Sequence, residues 1–100
     1  MLTREDIFAR LRASHPHLAE QFGVQRIGVF GSFASGTAQA GSDVDLIVEL
    51  QKPIGFKFIE LVEYLEALLG RKVDVLTPVG LQHIRVGGVA RSIADQIVYV

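Results

Sequence analysis

Gly31-Ser32-Phe33-Ala34-Ser35-Gly36, a small-residue spacer over 37–41, and Ser42-Asp43-Val44-Asp45-Leu46-Ile47-Val48-Glu49-Leu50 form the stretch whose reading decides the fold. It joins a glycine-flanked turn, able to bring backbone N–H groups up to a phosphate, to a strand that opens with two carboxylates. Residues i and i+2 of a strand share a face. Asp43 and Asp45 therefore project together, roughly 6.6 Å apart along the backbone at about 3.3 Å of rise per residue. Val44, Leu46, Val48 and Leu50 take the opposite, buriable face. A phosphate cradle beside two hard oxygen ligands suits a magnesium-bound nucleotide.

Upstream, Val24 to Phe30 reads as a first strand running straight into Gly31. Thr3 caps a first helix, with Asp6 three residues on and Ile7, Phe8 and Leu11 on one side. Pro16 is expected to interrupt that helix, leaving a shorter piece with Leu18 and Phe22 that stops at Gly23. Phe33 to Ser35 suit a turn of helix. Downstream, a helix over Phe56 to Leu69 carries an apolar stripe of Phe58, Ile59, Val62, Leu65 and Leu69. Glu60, Glu63 and Glu66 line another side as a solvated acidic face. Gly70 follows the helix, and Val73 to Thr77 forms a third strand that Pro78 ends. Leu81 to Ala94 reads as a helix broken at Gly87-Gly88, and Ile97 to Val100 as a last short strand. The alternation of helices and strands implies a small α/β (α+β) domain, a sheet packed with helices, over residues 1–100.

Composition sets limits on function. Hydrophobic residues make up 49% of the 100, so the chain is globular rather than disordered. Ten basic and eleven acidic side chains leave a formal charge of −1, which argues against a general nucleic-acid-coating surface. With no cysteine, thiolate metal sites and disulfides are excluded. No apolar run reaches membrane-spanning length and the N-terminus is too charged for a secretory signal, so a cytoplasmic protein is expected.

Taken alone, the hexapeptide reads as a structural corner between strand and helix. It is neither a Walker A loop nor Gly-x-Gly-x-x-Gly. Two acids on the wet face of a strand are likewise common. Their combination, with a third acid in Val73-Asp74-Val75-Leu76, changes the reading. An aspartate among β-branched residues of a buried strand is costly unless paired or metal-bound, and like charges side by side repel unless a cation lies between them. If the second and third strands are neighbours, Asp43, Asp45 and Asp74 converge beside the glycine turn. His15, His17 and His83 are expected to be structural or solvated, since no Ser–His–acid or His-x-x-x-His constellation is present.

Gly31-Ser32-x-x-x-Gly36, then Ser42-Asp43-x-Asp45-Leu46, and a later Val73-Asp74-Val75-Leu76, resembles the DNA polymerase β-like nucleotidyltransferase superfamily. Within it, the chain is most similar to the minimal nucleotidyltransferases, small prokaryotic proteins often paired with HEPN-domain toxins. The resemblance implies transfer of AMP from ATP to a hydroxyl, in HEPN-paired members a tyrosine of the toxin, whose RNase activity is thereby silenced. Carried over, Gly31 and Ser32 bind the triphosphate, and Asp43 and Asp45 ligate Mg2+. Asp74 completes a two-metal site and serves as, or helps orient, the base that activates the acceptor. A hetero-oligomer with the toxin follows, without direct nucleic-acid or membrane binding. Family members usually carry arginine where this chain has Ser35. A lost charge-assisted contact is worth roughly 1.5–3 kcal/mol, for which Arg26, Lys52 and Lys57 are the candidate substitutes. That departure keeps a second reading in view: a catalytically weak or inactive module that neutralises the toxin by covering it. A third, with a small-molecule or RNA acceptor, belongs to relatives that usually carry a further substrate domain.

Overall fold

The computed structural model describes residues 2–36, 41–82 and 97–100. The elements are α1 (Arg4–Phe22), β1 (Val24–Phe30), α2 (Gly31–Ser35), β2 (Val44–Leu50), α3 (Lys57–Leu69), β3 (Val73–Leu76), α4 (Pro78–Gln82) and β4 (Val98–Tyr99). The strands form one mixed sheet in the order β3-β2-β1-β4. β1 runs antiparallel to both β2 and β4, and β2 runs parallel to β3. Parallel neighbours need a long crossover, and α3 supplies it.

Thr3 caps α1 as expected: its Oγ1 accepts from the Asp6 N–H at 3.1 Å while Asp6 Oδ2 accepts from the Thr3 N–H at 3.0 Å. Pro16 does not break the helix. α1 is continuous through it, with Ile7, Leu11, Leu18 and Phe22 buried along one side. The missing Pro16 N–H would have bonded to the Arg12 carbonyl, and both residues lie on the exposed side, so the lost bond is not a buried one. Burial of the apolar side outweighs the local cost.

The stripe of α3 holds at Phe58, Val62, Leu65 and Leu69, which are buried or packed against the core, but Leu61 takes the place expected of Ile59. Leu61, Leu65 and Leu69, at strict i, i+4, i+8 spacing, are the buried positions, whereas Ile59 is 59% exposed. Ile59 sits in the first turn, before the helix closes on the sheet. Nor are the three glutamates of α3 uniformly solvated, because Glu66 Oε2 accepts from the Val73 N–H at 3.3 Å and ties the helix to the start of β3. Pro78 ends β3 as expected but also opens α4, a position where a missing N–H costs nothing. Residues 83–96, including His83 and Gly87-Gly88, lie outside the described residues.

α1, α2, α3 and the sheet share one core, in which Ile7, Leu11 and Leu18 join Phe33, Leu61, Leu65, Leu69, Val44, Leu46 and Val48. β1 contributes Val24, Ile27 and Val29, an odd spacing made possible by the register shift between Val24 and Arg26. Leu65 is fully buried at the centre of α3. Leu65→Ala is expected to destabilise the fold by about 2–5 kcal/mol through lost contacts and a residual cavity, read as a lower denaturation midpoint with unchanged slope. The opposite face carries Asp45, Ile47 and Glu49 of β2, registered against Phe30, Gly28 and Arg26 of β1. That face holds the chemistry.

Candidate functional site

Strand register brings the acids together. Asp45 is the direct neighbour of Asp74 across the β2–β3 pair and of Phe30 across the β1–β2 pair. In a parallel pair such neighbours point to the same side of the sheet, so the two carboxylates sit side by side. Asp43 stands one residue before β2, exposed, at the same end of the sheet. The Asp45 carboxyl is held above the usual carboxylate range, first by partial burial, then by the negative charges of Asp74 and Asp43. Asp45 therefore feels both of the other acids.

The glycine turn closes over this end. β1 ends at Phe30, opposite Asp45, and the chain turns into α2 at Gly31 with φ of +72°. A Cβ at Gly31 would overlap Asp45 Oδ2, so a side chain is excluded where the turn meets the carboxylate. Phe33 and Ala34 anchor the other side of α2 in the interior, leaving Gly31 and Ser32 half-buried at the mouth. Ser35 Oγ donates to the Ser32 carbonyl at 3.3 Å, a contact within the single helical turn.

Among the described residues, no three His, Cys, Asp or Glu side chains are gathered tightly enough to cage a metal ion. The donor set nonetheless fits a hard divalent cation. It consists of carboxylate oxygens alone, and the raised Asp45 marks negative charge that a cation between the acids would relieve. A cavity of about 500 Å³ lies elsewhere: Glu49, Lys52, Thr77 and Val79 line it at the far end of β2. Its lining has no acid trio and no glycine turn, so the chemistry belongs to the Asp45 end.

Residues 14–100 match the model of the nucleotidyltransferase domain family. The chain belongs to this family. The protein adenylyltransferase MntA of Thermococcus cleftensis is 46% identical over 101 residues, covering 100% of this chain and 98% of that one. A solved chain described as a minimal nucleotidyltransferase superposes with a TM-score of 0.74 at 28% identity, over 97% of this chain and 95% of its own. A toxin–antitoxin crystal structure with AMP-PNP contains a chain 25% identical, with a TM-score of 0.62, covering 98% of this chain and 72% of that one.

In this nucleotidyltransferase the cations named as substitutes for an arginine at position 35 lie elsewhere. Arg26 pairs with Glu49 and lies over the Tyr99 ring, its guanidinium carbon 3.7 Å from the centroid. Lys57 donates to the Gln21 carbonyl at 3.0 Å, and Lys52 lines the cavity beyond the end of β2. Among the described residues, the cation beside the turn is Arg71, which donates to the Ser42 carbonyl at 2.8 Å and lies over the Phe33 ring, 5.4 Å from the centroid. Sequence reading passed over it. The available signal was its place just before β3, because a parallel β2–β3 pair puts whatever precedes one strand beside whatever precedes the other. His15 Nε2 lies 3.1 Å from the Gln25 carbonyl, and His17 stacks on Tyr64 with centroids 5.0 Å apart. Both contacts are structural. No described helix is long and apolar enough to cross a membrane.

Proposed function

We propose that this chain, one domain over residues 1–100, transfers AMP from ATP to a protein hydroxyl, namely a tyrosine of a cognate HEPN-domain RNase toxin, and so acts as its antitoxin in the cytoplasm. The observation that carries the reading is Gly31 lying directly against Asp45, with Asp74 in register beside it. Relatives add support: one is named a protein adenylyltransferase, and a structural neighbour is a toxin–antitoxin complex holding an ATP analogue.

Gly31 and Ser32 bind the triphosphate, through backbone N–H groups left without helical partners at the start of α2 and through the Ser32 hydroxyl. Asp43, Asp45 and Asp74 are the residues that would hold Mg2+, and when bound the ion supplies neutralisation of the triphosphate charge. The acceptor oxygen forms a bond to the α-phosphorus, the bond to the bridging oxygen breaks, and pyrophosphate leaves. Asp74, on an edge strand of the described sheet, orients the acceptor hydroxyl or takes its proton in this reading. Such transfer asks chiefly for positioning and charge compensation, which a small domain can provide.

Ser35 favours a second reading, in which the chain silences its partner by covering it. Incubation with labelled ATP, Mg2+ and the protein encoded beside it separates the two. Label on the partner that is lost with Asp43→Ala/Asp45→Ala supports transfer. An unlabelled partner, together with co-expressed Asp43→Ala/Asp45→Ala protein that still protects cells, supports covering instead.

A further inference from the structure

Asp43 is the acid that the sheet holds least. It precedes β2, and the first bond linking that strand to its parallel neighbour is one residue later, from the Val44 N–H to the Lys72 carbonyl at 3.0 Å. The residue before Asp43 is held by a side chain. Arg71 Nη1 donates to the Ser42 carbonyl at 2.8 Å in a part-buried bond, and the same guanidinium lies over the ring of Phe33. Phe33 directly follows Gly31-Ser32 and is only 4% exposed, so it makes a firm anchor. One side chain thus touches the residue beyond the phosphate turn and the residue before the first carboxylate. Arginine suits this double contact, since a planar guanidinium stacks on an aromatic face while its edge donates in-plane. Among the described residues Arg71 forms no ion pair with Asp43, Asp45 or Asp74, so its influence on them passes through the backbone.

The geometry points to Arg71 as a positioning residue: a clamp that sets the separation between the Gly31-Ser32 turn and Asp43. The inference rests on the function proposed above, in which those two parts handle one metal-bound nucleotide. A misplacement of about 1 Å at such a site costs on the order of 100-fold, and losing a residue that orients a ligand typically costs about 10–100-fold in metal affinity or activity.

The test uses the full chain. Mn2+ binding is titrated by electron paramagnetic resonance without any partner, transfer to the partner is measured separately, and thermal unfolding is followed in parallel. Arg71→Ala is expected to weaken Mn2+ binding about 10-fold and lower kcat about 10–100-fold, with a smaller change in KM for ATP. Arg71→Lys, which keeps a donor but not the plane, recovers part of both. Phe33→Leu, which fills the same interior space without the ring, shifts both in the same direction by less. Wild-type Mn2+ binding and kcat in Arg71→Ala would overturn the proposal, as would losses that vanish when the assay is cooled to where both proteins are fully folded. Should Arg71→Ala not fold, unchanged Mn2+ binding in both Arg71→Lys and Phe33→Leu overturns it equally. A wild-type chain that binds Mn2+ but labels no partner sinks the transfer reading, while the titration still decides the clamp.

Discussion

Asp45→Asn is expected to abolish transfer and at the same time make the protein more stable at neutral pH. Loss of transfer follows from its position: Asp45 is the acid that meets the glycine turn on one side and Asp74 on the other. Removing charge complementarity of several kcal/mol lowers the rate by about 10³-fold or more at about 1.4 kcal/mol per tenfold. The gain in stability follows from linkage. Asp45 carries a raised pKa in the fold, by burial first and by Asp74 and Asp43 next. The folded state therefore holds its proton more tightly than the unfolded state, and stability falls as pH rises through the carboxylate range. Below the unfolded value both states are protonated and no penalty exists. Above the folded value the full penalty is present, and at neutral pH the wild type bears it. Asparagine is neutral throughout, so the variant should exceed the wild type at pH 7, by an amount that solvent screening of this partly exposed group keeps below about 1 kcal/mol. That margin should close as the pH is lowered past the ordinary aspartate range. Chemical denaturation at pH 7 and pH 3 reads both limbs. A variant less stable than wild type at pH 7 would show that the carboxylates are not in conflict.

How much of this was legible in the sequence depended on whether the signal was local. The Thr3 cap, the strands on either side of Gly31 and the turn of helix after it were readable because each depends on near neighbours. The pairing of Asp45 with Asp74 was legible only conditionally. Alternation fixes which face an aspartate takes, but register between β2 and β3 is set by the whole βαβ unit, and nothing within either strand states it.

Where the reading failed, a tertiary term outweighed a local one. Pro16 is a helix breaker by its chemistry, yet it falls on the wet side of α1 while Leu11 and Leu18 lock both flanks into the core. One position of the α3 stripe was wrong, Ile59 in place of Leu61, because Phe58, Ile59, Leu61, Val62, Leu65, Leu68 and Leu69 offer more apolar positions than one face can hold. The core buries Leu61, Leu65 and Leu69 fully, packs Phe58, Val62 and Leu68 at its edge and leaves Ile59 outside. Arg71 was passed over for another reason: its two contacts, at Ser42 and Phe33, lie 29 and 38 positions away, and only its place just before β3 marked it. Side chains that hold backbone in place leave little trace in a motif, unlike the groups they hold.

Gly31→Ala tests the join between turn and carboxylate, and its two costs can be separated. The first is conformational. Gly31 has φ of +72°, where an L-residue pays about 1–2 kcal/mol, equivalent to a Tm lower by on the order of 5–15 °C for a chain this size. The second is steric, because the new Cβ would occupy the place of Asp45 Oδ2 and crowd the rest of that carboxyl group. Asp45 can rotate away, which limits the loss of stability but moves the carboxylate out of the site. Transfer should therefore fall by about 10²-fold or more even at temperatures where the variant is fully folded, as expected for displacement of a positioned group. The double variant Gly31→Ala/Asp45→Ala isolates the contact. With the carboxylate gone the steric cost disappears and only the backbone cost remains, so the two substitutions should be non-additive in stability by about 0.5–1 kcal/mol, the double being more stable than the sum of the singles predicts. Strict additivity would mean that Gly31 and Asp45 do not touch, and the closure of the glycine turn over the acids would have to be abandoned with it.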